Sequence, residues 1–241
     1  MKSLYLLLNI GAFIFPFLLS FDKKVAFYKK WKYLFPALVS VAVFFLIWDY
    51  FFTDWRVWSF NDNYILGTKF FGLPIEEILF FFTVPYSCVF VYECLIAYIP
   101  KDYFKNIAKP LTIILILGLA VALYFNYGRL YTASTIILLG AYLMQLLVVN
   151  RAQWLGRFFM AYLVCLIPFF IINGILTAKP VVIYNDIENT GIRLGTIPIE
   201  DTLYKMLLLL MNVAIYERLQ KRFVRAEEPE ETTAETEPLG I

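Results

Sequence analysis

Apolar and polar positions fall along this chain in long alternating blocks. Apolar runs cover residues 4–21, 33–52, 73–99, 110–127, 130–149, 157–177 and 197–217, with short polar stretches between them. A run of about 20 apolar residues is long enough to cross a bilayer as a helix, so the pattern predicts an all-α polytopic membrane protein with seven transmembrane helices. The chain opens on Met1-Lys2 and an apolar run to Phe21 without a small-residue cleavage site, which reads as a retained first helix. Loops between these helices alternate sides, and the basic residues divide 14 to 6 between the two sides. By the positive-inside rule the C-terminus is cytoplasmic and the N-terminus outside, the expected setting being a bacterial inner membrane. The two longest loops, 53–72 and 178–196, then both face outward.

Composition narrows this picture. Of the 241 residues 61% are hydrophobic and 17% charged, too apolar a balance for a soluble globule, and seven spans leave no room for a second domain. The 21 Lys and Arg are scattered through loops and the net charge is +2, which points away from nucleic acid. Cys88, Cys94 and Cys165 lie in apolar stretches without metal-ligand or redox spacing and read as core residues. Beyond Ala226 the chain carries six acids, two Pro and three Thr, the composition of a solvated tail. There is no His, which excludes a Ser-His-Asp triad, a Cys-His pair and a His-ligated zinc. Acid-base chemistry must rest on carboxyls, Tyr, Lys or Cys.

The chain also repeats itself at an offset of 124 residues. Asn61-Asp62, Gly67, Lys69, Pro74-Ile75-Glu76-Glu77 and Tyr92-Glu93 have counterparts in Asn185-Asp186, Gly191, Arg193, Pro198-Ile199-Glu200-Asp201 and Tyr216-Glu217. Asp49 meets Asn173. Apolar residues match by chance in a membrane protein, but Pro, paired acids and Asn-Asp at one spacing do not. The expected organisation is a three-helix repeat at 1–99, a linker helix at 100–129, a second repeat at 130–220 and a disordered acidic tail at 221–241. The extra crossing makes the repeats parallel and puts both acid pairs on one membrane side.

Acids inside membrane spans are costly, about 2.5–3.5 kcal/mol each near a helix centre, so several at one depth call for a reason. Asp49, Glu76, Glu77, Glu200 and Asp201 all fall near outer helix ends, whereas Glu93 and Glu217 lie about 25 Å further along at 1.5 Å per residue. One reading makes the paired acids first-turn caps that complement the helix dipole after an early Pro. The other is a carboxyl cluster facing itself across a pseudo-twofold axis, able to hold a proton and act as a general acid. The helix N-terminus favours the anion, so donor and acceptor stay unassigned at this level. Aromatics flank the motif, among them Trp48, Trp58, Phe80 and Tyr204. They serve packing, and their π faces also stabilise a carbocation.

Those two Pro-x-Glu-Glu/Asp segments, one per three-helix half, with their Asn-Asp and aromatic flanks, resemble the integral-membrane lycopene cyclases of the heterodimer type, here with both halves in one chain. The resemblance covers roughly residues 1–220. It implies a lycopene cyclase that converts lycopene to γ- and β-carotene with no net redox change, no cofactor and no metal, in contact with a linear carotenoid and the lipid bilayer. An acid protonates the terminal double bond of the ψ-end, the neighbouring alkene closes the ring and a base removes a proton. The acid-base role carries first onto Glu76 and Glu200 and then onto Glu77 and Asp201. Asp49, Asn61, Asp62, Asn173, Asn185 and Asp186 are supports, with Lys205, Phe80 and Tyr204 near the substrate. The soluble-type cyclases use a dinucleotide fold, and no Gly-x-Gly-x-x-Gly occurs here.

Lys205 stands where the first copy has Phe81, so the halves are unequal. Four residues after Asp201, it is placed to pair with that acid along one helix face. Seven helices with a lysine in the last one also resemble microbial rhodopsins, in which Lys205 would bind retinal. A carboxylate-based proton or cation transporter is a third reading. The retinal-binding reading gives the duplicated acid segments and their loops no role.

Overall fold

A computed structural model describes residues 2–150 and 152–227, with side chains described as far as residue 223. Its helices are α1 (Leu4–Leu19), α2 (Trp31–Asp54), α3 (Ile75–Tyr98), α4 (Ala108–Asn126), α5 (Leu130–Val148), α6 (Leu155–Ala178) and α7 (Ile199–Glu227). Five of them, α2 to α6, are long and apolar enough to cross a membrane. α1 is apolar but has 16 residues, and α7 interrupts its apolar run with Glu200, Asp201, Lys205 and Glu217. α7 also continues to Glu227, so residues 221–227, expected in the disordered tail, extend the helix, and the rest of that tail lies outside the described residues.

Burial is inverted relative to a water-soluble domain. Leu117, Val121, Phe125, Ile167 and Ile171 are exposed, while Asp49, Glu76, Glu77, Glu93, Glu200, Asp201 and Lys205 are buried. An apolar exterior around a mostly apolar core that also holds several acids suits a hydrocarbon surround, where every buried polar group must find its partner within the protein. Proline shows the same accounting. Pro16 sits inside α1 and cannot donate to the carbonyl of Ala12; Ser87 Oγ on α3 donates to that oxygen instead, at 2.9 Å. The substitute bond helps hold α1 on α3.

The two long loops carry structure that the apolar pattern does not reveal. β1 (Trp58–Phe60) pairs antiparallel with β4 (Val182–Tyr184), and two hairpins, β2 (Lys69–Phe70) with β3 (Leu73–Pro74) and β5 (Arg193–Leu194) with β6 (Ile197–Pro198), precede α3 and α7. The first hairpin turns on Phe71 and Gly72, both at positive φ, and the second on Gly195 at φ 66°, as two-residue hairpin turns require. Pro74 is therefore the last residue before α3, in extended backbone at φ −59° and ψ 144°, rather than an early helical residue. α3 and α7 start two residues later than the apolar runs do.

The bonds themselves obey the 124-residue offset. In the β1–β4 ribbon Ser59 lies opposite Ile183, its own counterpart. The Asn61 N–H donates to the Val181 carbonyl and the Asn185 N–H to that of Val57, both at 2.9 Å. At the other end of the helices the exchange recurs: Tyr92 donates to Glu217 and Tyr216 to Glu93, both at 2.6 Å. α3 and α7 thus run side by side in the same direction, from the ribbon to the Tyr–Glu exchange. α1 packs on α3 as α5 packs on α7; α2 reaches across to α7 and α6 across to α3. α4 packs against α5 and buries only Ala108, Thr112 and Leu119.

Candidate active site

Beneath the β1–β4 ribbon lies a cavity of about 460 Å³, walled mainly by α1, α3, α6 and α7. Its lining is apolar except for a few groups near the ribbon and Lys205 one turn deeper than Asp201 on α7. Alternation along the ribbon supplies the roof: Trp58, Phe60, Val182 and Tyr184 face the cavity, while Ser59 and Ile183 face away and are exposed.

Adjacent acids at the start of each helix take different positions. Glu77 and Asp201 line the cavity, as does Asp49 from α2; Glu76 and Glu200 do not. Glu76 Oε1 accepts the Leu66 N–H at 2.7 Å, and Glu200 Oε1 accepts both the Thr190 N–H and the Thr132 hydroxyl at 2.7 Å. These two acids tie the Asn-Asp loops to the helices. A hydrogen bond of this kind contributes about 0.5–1.5 kcal/mol net, so these contacts help hold both loops on their helices. The second oxygen of each is buried and has no protein partner among the described residues.

The cavity acids are held by aromatic donors. Tyr5 donates to Glu77 Oε2, and Trp58 Nε1 donates to Asp49 Oδ1 at 2.6 Å. Asp201 accepts from Tyr131 at 2.7 Å, from Tyr184 at 2.8 Å and from the Asn173 amide at 3.4 Å. Burial, followed by the nearby Asp201 carboxyl, pushes the Tyr184 phenol well above its ordinary value, so on β4 it remains a donor. Asp49 Oδ2 and the Tyr204 hydroxyl are buried and have no protein partner among the described residues. Phe80 and Tyr204 complete the aromatic wall near the acids. Among the described residues no three Cys, Asp or Glu side chains are arranged to hold a metal ion.

Asn61, Asp62, Asn185 and Asp186 lie away from the cavity and shape the loops. Asn61 Oδ1 accepts the Asn63 N–H at 3.0 Å and Asn185 Oδ1 the Ile187 N–H at 3.2 Å, the same turn twice. Asp62 pairs with Lys69 at 2.8 Å and Asp186 with Arg193 at 2.5 Å. A hydrogen bond from Asn189, aided by Arg193, holds the Asp186 carboxyl below its ordinary value. Lys205 departs from the expected pairing. Its ammonium donates to the Cys165 carbonyl on α6 and lies 4.4 Å from the centre of the Phe169 ring, and among the described residues no ion pair joins it to Asp201.

The sequence reading passed over Tyr5 and Tyr131, which make the same bond to Glu77 and Asp201. They are 126 residues apart rather than 124, because the α1–α5 correspondence is shifted by two positions. Aligning the first helix separately would have exposed them.

A helical bundle with an apolar exterior, enclosing a cavity where carboxyls are held by phenol and indole donors, defines the chain as a membrane protein with a buried acid site. The sequence pattern of the family described as lycopene cyclase matches residues 2–95 and 128–219, one copy on each half, and the chain belongs to that family. The matched segments leave out α4. Similar curated proteins are two named bifunctional lycopene cyclase/phytoene synthase, from Leptosphaeria maculans, 38% identical over 56 residues, and from Phaeosphaeria nodorum, 36% identical over 56 residues. Each match spans 23% of this chain and 10% of the relative. No solved structure matches.

Proposed function

We propose that this chain is a lycopene cyclase that closes the ψ-ends of lycopene, or of a related linear carotenoid, by acid-base chemistry in the cavity under the ribbon. One observation carries the reading: in a cavity lined largely by apolar side chains, Glu77, Asp201 and Asp49 gather at one end, each held by a tyrosine or tryptophan donor. Glu77 is the proton source. Tyr5 occupies one of its oxygens, and the other carries the proton to the terminal double bond, leaving a tertiary carbocation. The neighbouring alkene attacks that centre and forms the ring bond, and the cation passes to the carbon it vacates. Asp201, an acceptor for three donors, takes up the proton whose loss re-forms a double bond. One proton enters the substrate and one leaves, so the formula is unchanged; transfer from Asp201 back to Glu77 resets the site. Trp58, Phe80 and Tyr204 offer π faces to the cation.

In this reading Glu76 and Glu200, the first choices from sequence, fix the loops, and Asn173 and Asp49 position the acids. α1 and α7 also cross the membrane, which gives seven crossings, parallel three-helix repeats and an outward ribbon end with the N-terminus outside. Expression in a lycopene-accumulating host tests the function. Cyclic carotenes are expected from the native chain and none from Glu77→Gln or Asp201→Asn at equal protein level; unchanged lycopene with folded native protein overturns it.

A further inference from the structure

The offset of the repeat gives each wall residue of the cavity a counterpart in the other half; some counterparts, such as Tyr131 for Tyr5 and Asp201 for Glu77, line the same cavity, and others lie in packed core. Where α1 lines the open space with Gly11 and Ala12, α5 has half-buried Leu138 and an Ile137 that is exposed on the outside of the bundle. Where α6 presents Ile172 and Leu176, α2 has Trp48 and Phe52. These α2 rings are buried and packed on one another at tilted and edge-on angles: Phe45 to Trp48 and Trp48 to Phe52 are each 5.6 Å between ring centres, and Phe45 lies 5.9 Å from Phe81 of α3. Phe45 and Trp48 both close on Tyr204 at 5.0 Å, so one flank of Tyr204 is packed solid while its residue borders the cavity. The carboxyl pair is duplicated; the space beside it is not.

Resting on the function proposed above, we infer that the chain holds one chamber for one end of a linear polyene, the equivalent place in the other half being filled by the α2 aromatics. The acids sit at one end of this chamber, which follows α3 from Glu77 to Val91, about 20 Å at the helical rise. A long polyene lying in it brings one end to the carboxyls and keeps the other away. The chain therefore closes one ring per binding event, and a second ring requires the singly cyclised molecule to leave and re-enter reversed. Both Glu77 and Asp201 serve each closure, with one proton added and one removed.

A pulse-chase experiment on the purified protein in liposomes reads this directly. Isotope-labelled lycopene is converted briefly, and an excess of unlabelled lycopene is then added. The label is expected to stay in the single-ring product, its passage to any two-ring product falling in proportion to the dilution. Label moving undiminished into the two-ring product overturns the single-chamber inference, whereas failure to form any ring overturns the function on which it rests. Two variants sharpen the outcome. Gly11 lines the chamber and a side chain there meets no neighbouring atom within 4 Å at its first carbon, so Gly11→Ile adds bulk at the chamber wall without a clash; it is expected to fold with native thermal stability and to lose about tenfold or more in cyclisation rate. Phe45→Leu, in the filled half, is expected to keep most of the rate. Native cyclisation by folded Gly11→Ile likewise overturns the inference.

Discussion

The two ends of the α3–α7 pair carry the same chemistry in different settings. At the ribbon end Tyr5 and Tyr131 donate to Glu77 and Asp201; at the far end Tyr92 and Tyr216 donate to Glu217 and Glu93. Both ends therefore place buried carboxyls under phenols. The far-end acids, however, lie outside the cavity wall and have lysines beside them, Lys30 at Glu93 and Lys221 at Glu217. A carboxyl bonded to a phenol is thus a means of joining helices, and it becomes a candidate for chemistry only where one side of it borders open apolar space. Burial alone does not separate the two ends; the cavity does.

That contrast can be broken from either end. The largest effect is expected from Asp201→Asn, which removes the proposed proton acceptor while keeping the side-chain shape: cyclisation measured on membranes should fall about 10²–10⁴-fold with little change in thermal stability. Tyr92→Phe should do the reverse. It leaves buried Glu217 without its phenol, lowering stability by about 1–3 kcal/mol in a denaturation assay while the rate per folded molecule holds. Tyr131→Phe lies between the two, because Tyr184 still holds Asp201; the loss should be about 0.5–1.5 kcal/mol in the transition state, roughly two- to tenfold in rate. Lys221→Ala should be the mildest. Its contact with Glu217 is 4.0 Å long on an exposed helix face, and the melting temperature should shift by no more than about 0.5 kcal/mol of stability implies. A large stability loss from Asp201→Asn, or a large rate loss from Tyr92→Phe, would erase the distinction between the ends.

The helices were legible because long apolar runs leave little choice of structure, and their ends agree with the apolar pattern to within a few residues except at α7. The acid pairs were legible because polar residues repeated at a fixed spacing stand out in apolar sequence. Which member of each pair borders the cavity was not. Glu76 and Glu77 are neighbours on a helix whose successive side chains point about 100° apart, and only the packing of the loop on one side and the cavity on the other assigns them. The ribbon and hairpins were hidden because strands of two or three residues leave no measurable period. Lys205 was read from its spacing to Asp201 alone, while its actual partners, a carbonyl and a ring on α6, belong to an element forty positions earlier in the chain. Local spacing proposes contacts, and the neighbouring helix decides among them.

The β1–β4 ribbon has a consequence for product purity. Its inward residues, Trp58, Phe60, Val182 and Tyr184, form the roof over the acids, and main-chain bonds from Asn61 to Val181 and from Asn185 to Val57 extend its pairing at both ends. In the proposed reaction a tertiary carbocation partitions between attack by its own alkene and capture by a water molecule, and capture before closure yields a hydroxylated open chain instead of a ring. With the roof stitched from two halves, neither half can admit water without parting from the other. The hydroxylated fraction among the products is then a direct gauge of how often the ribbon opens.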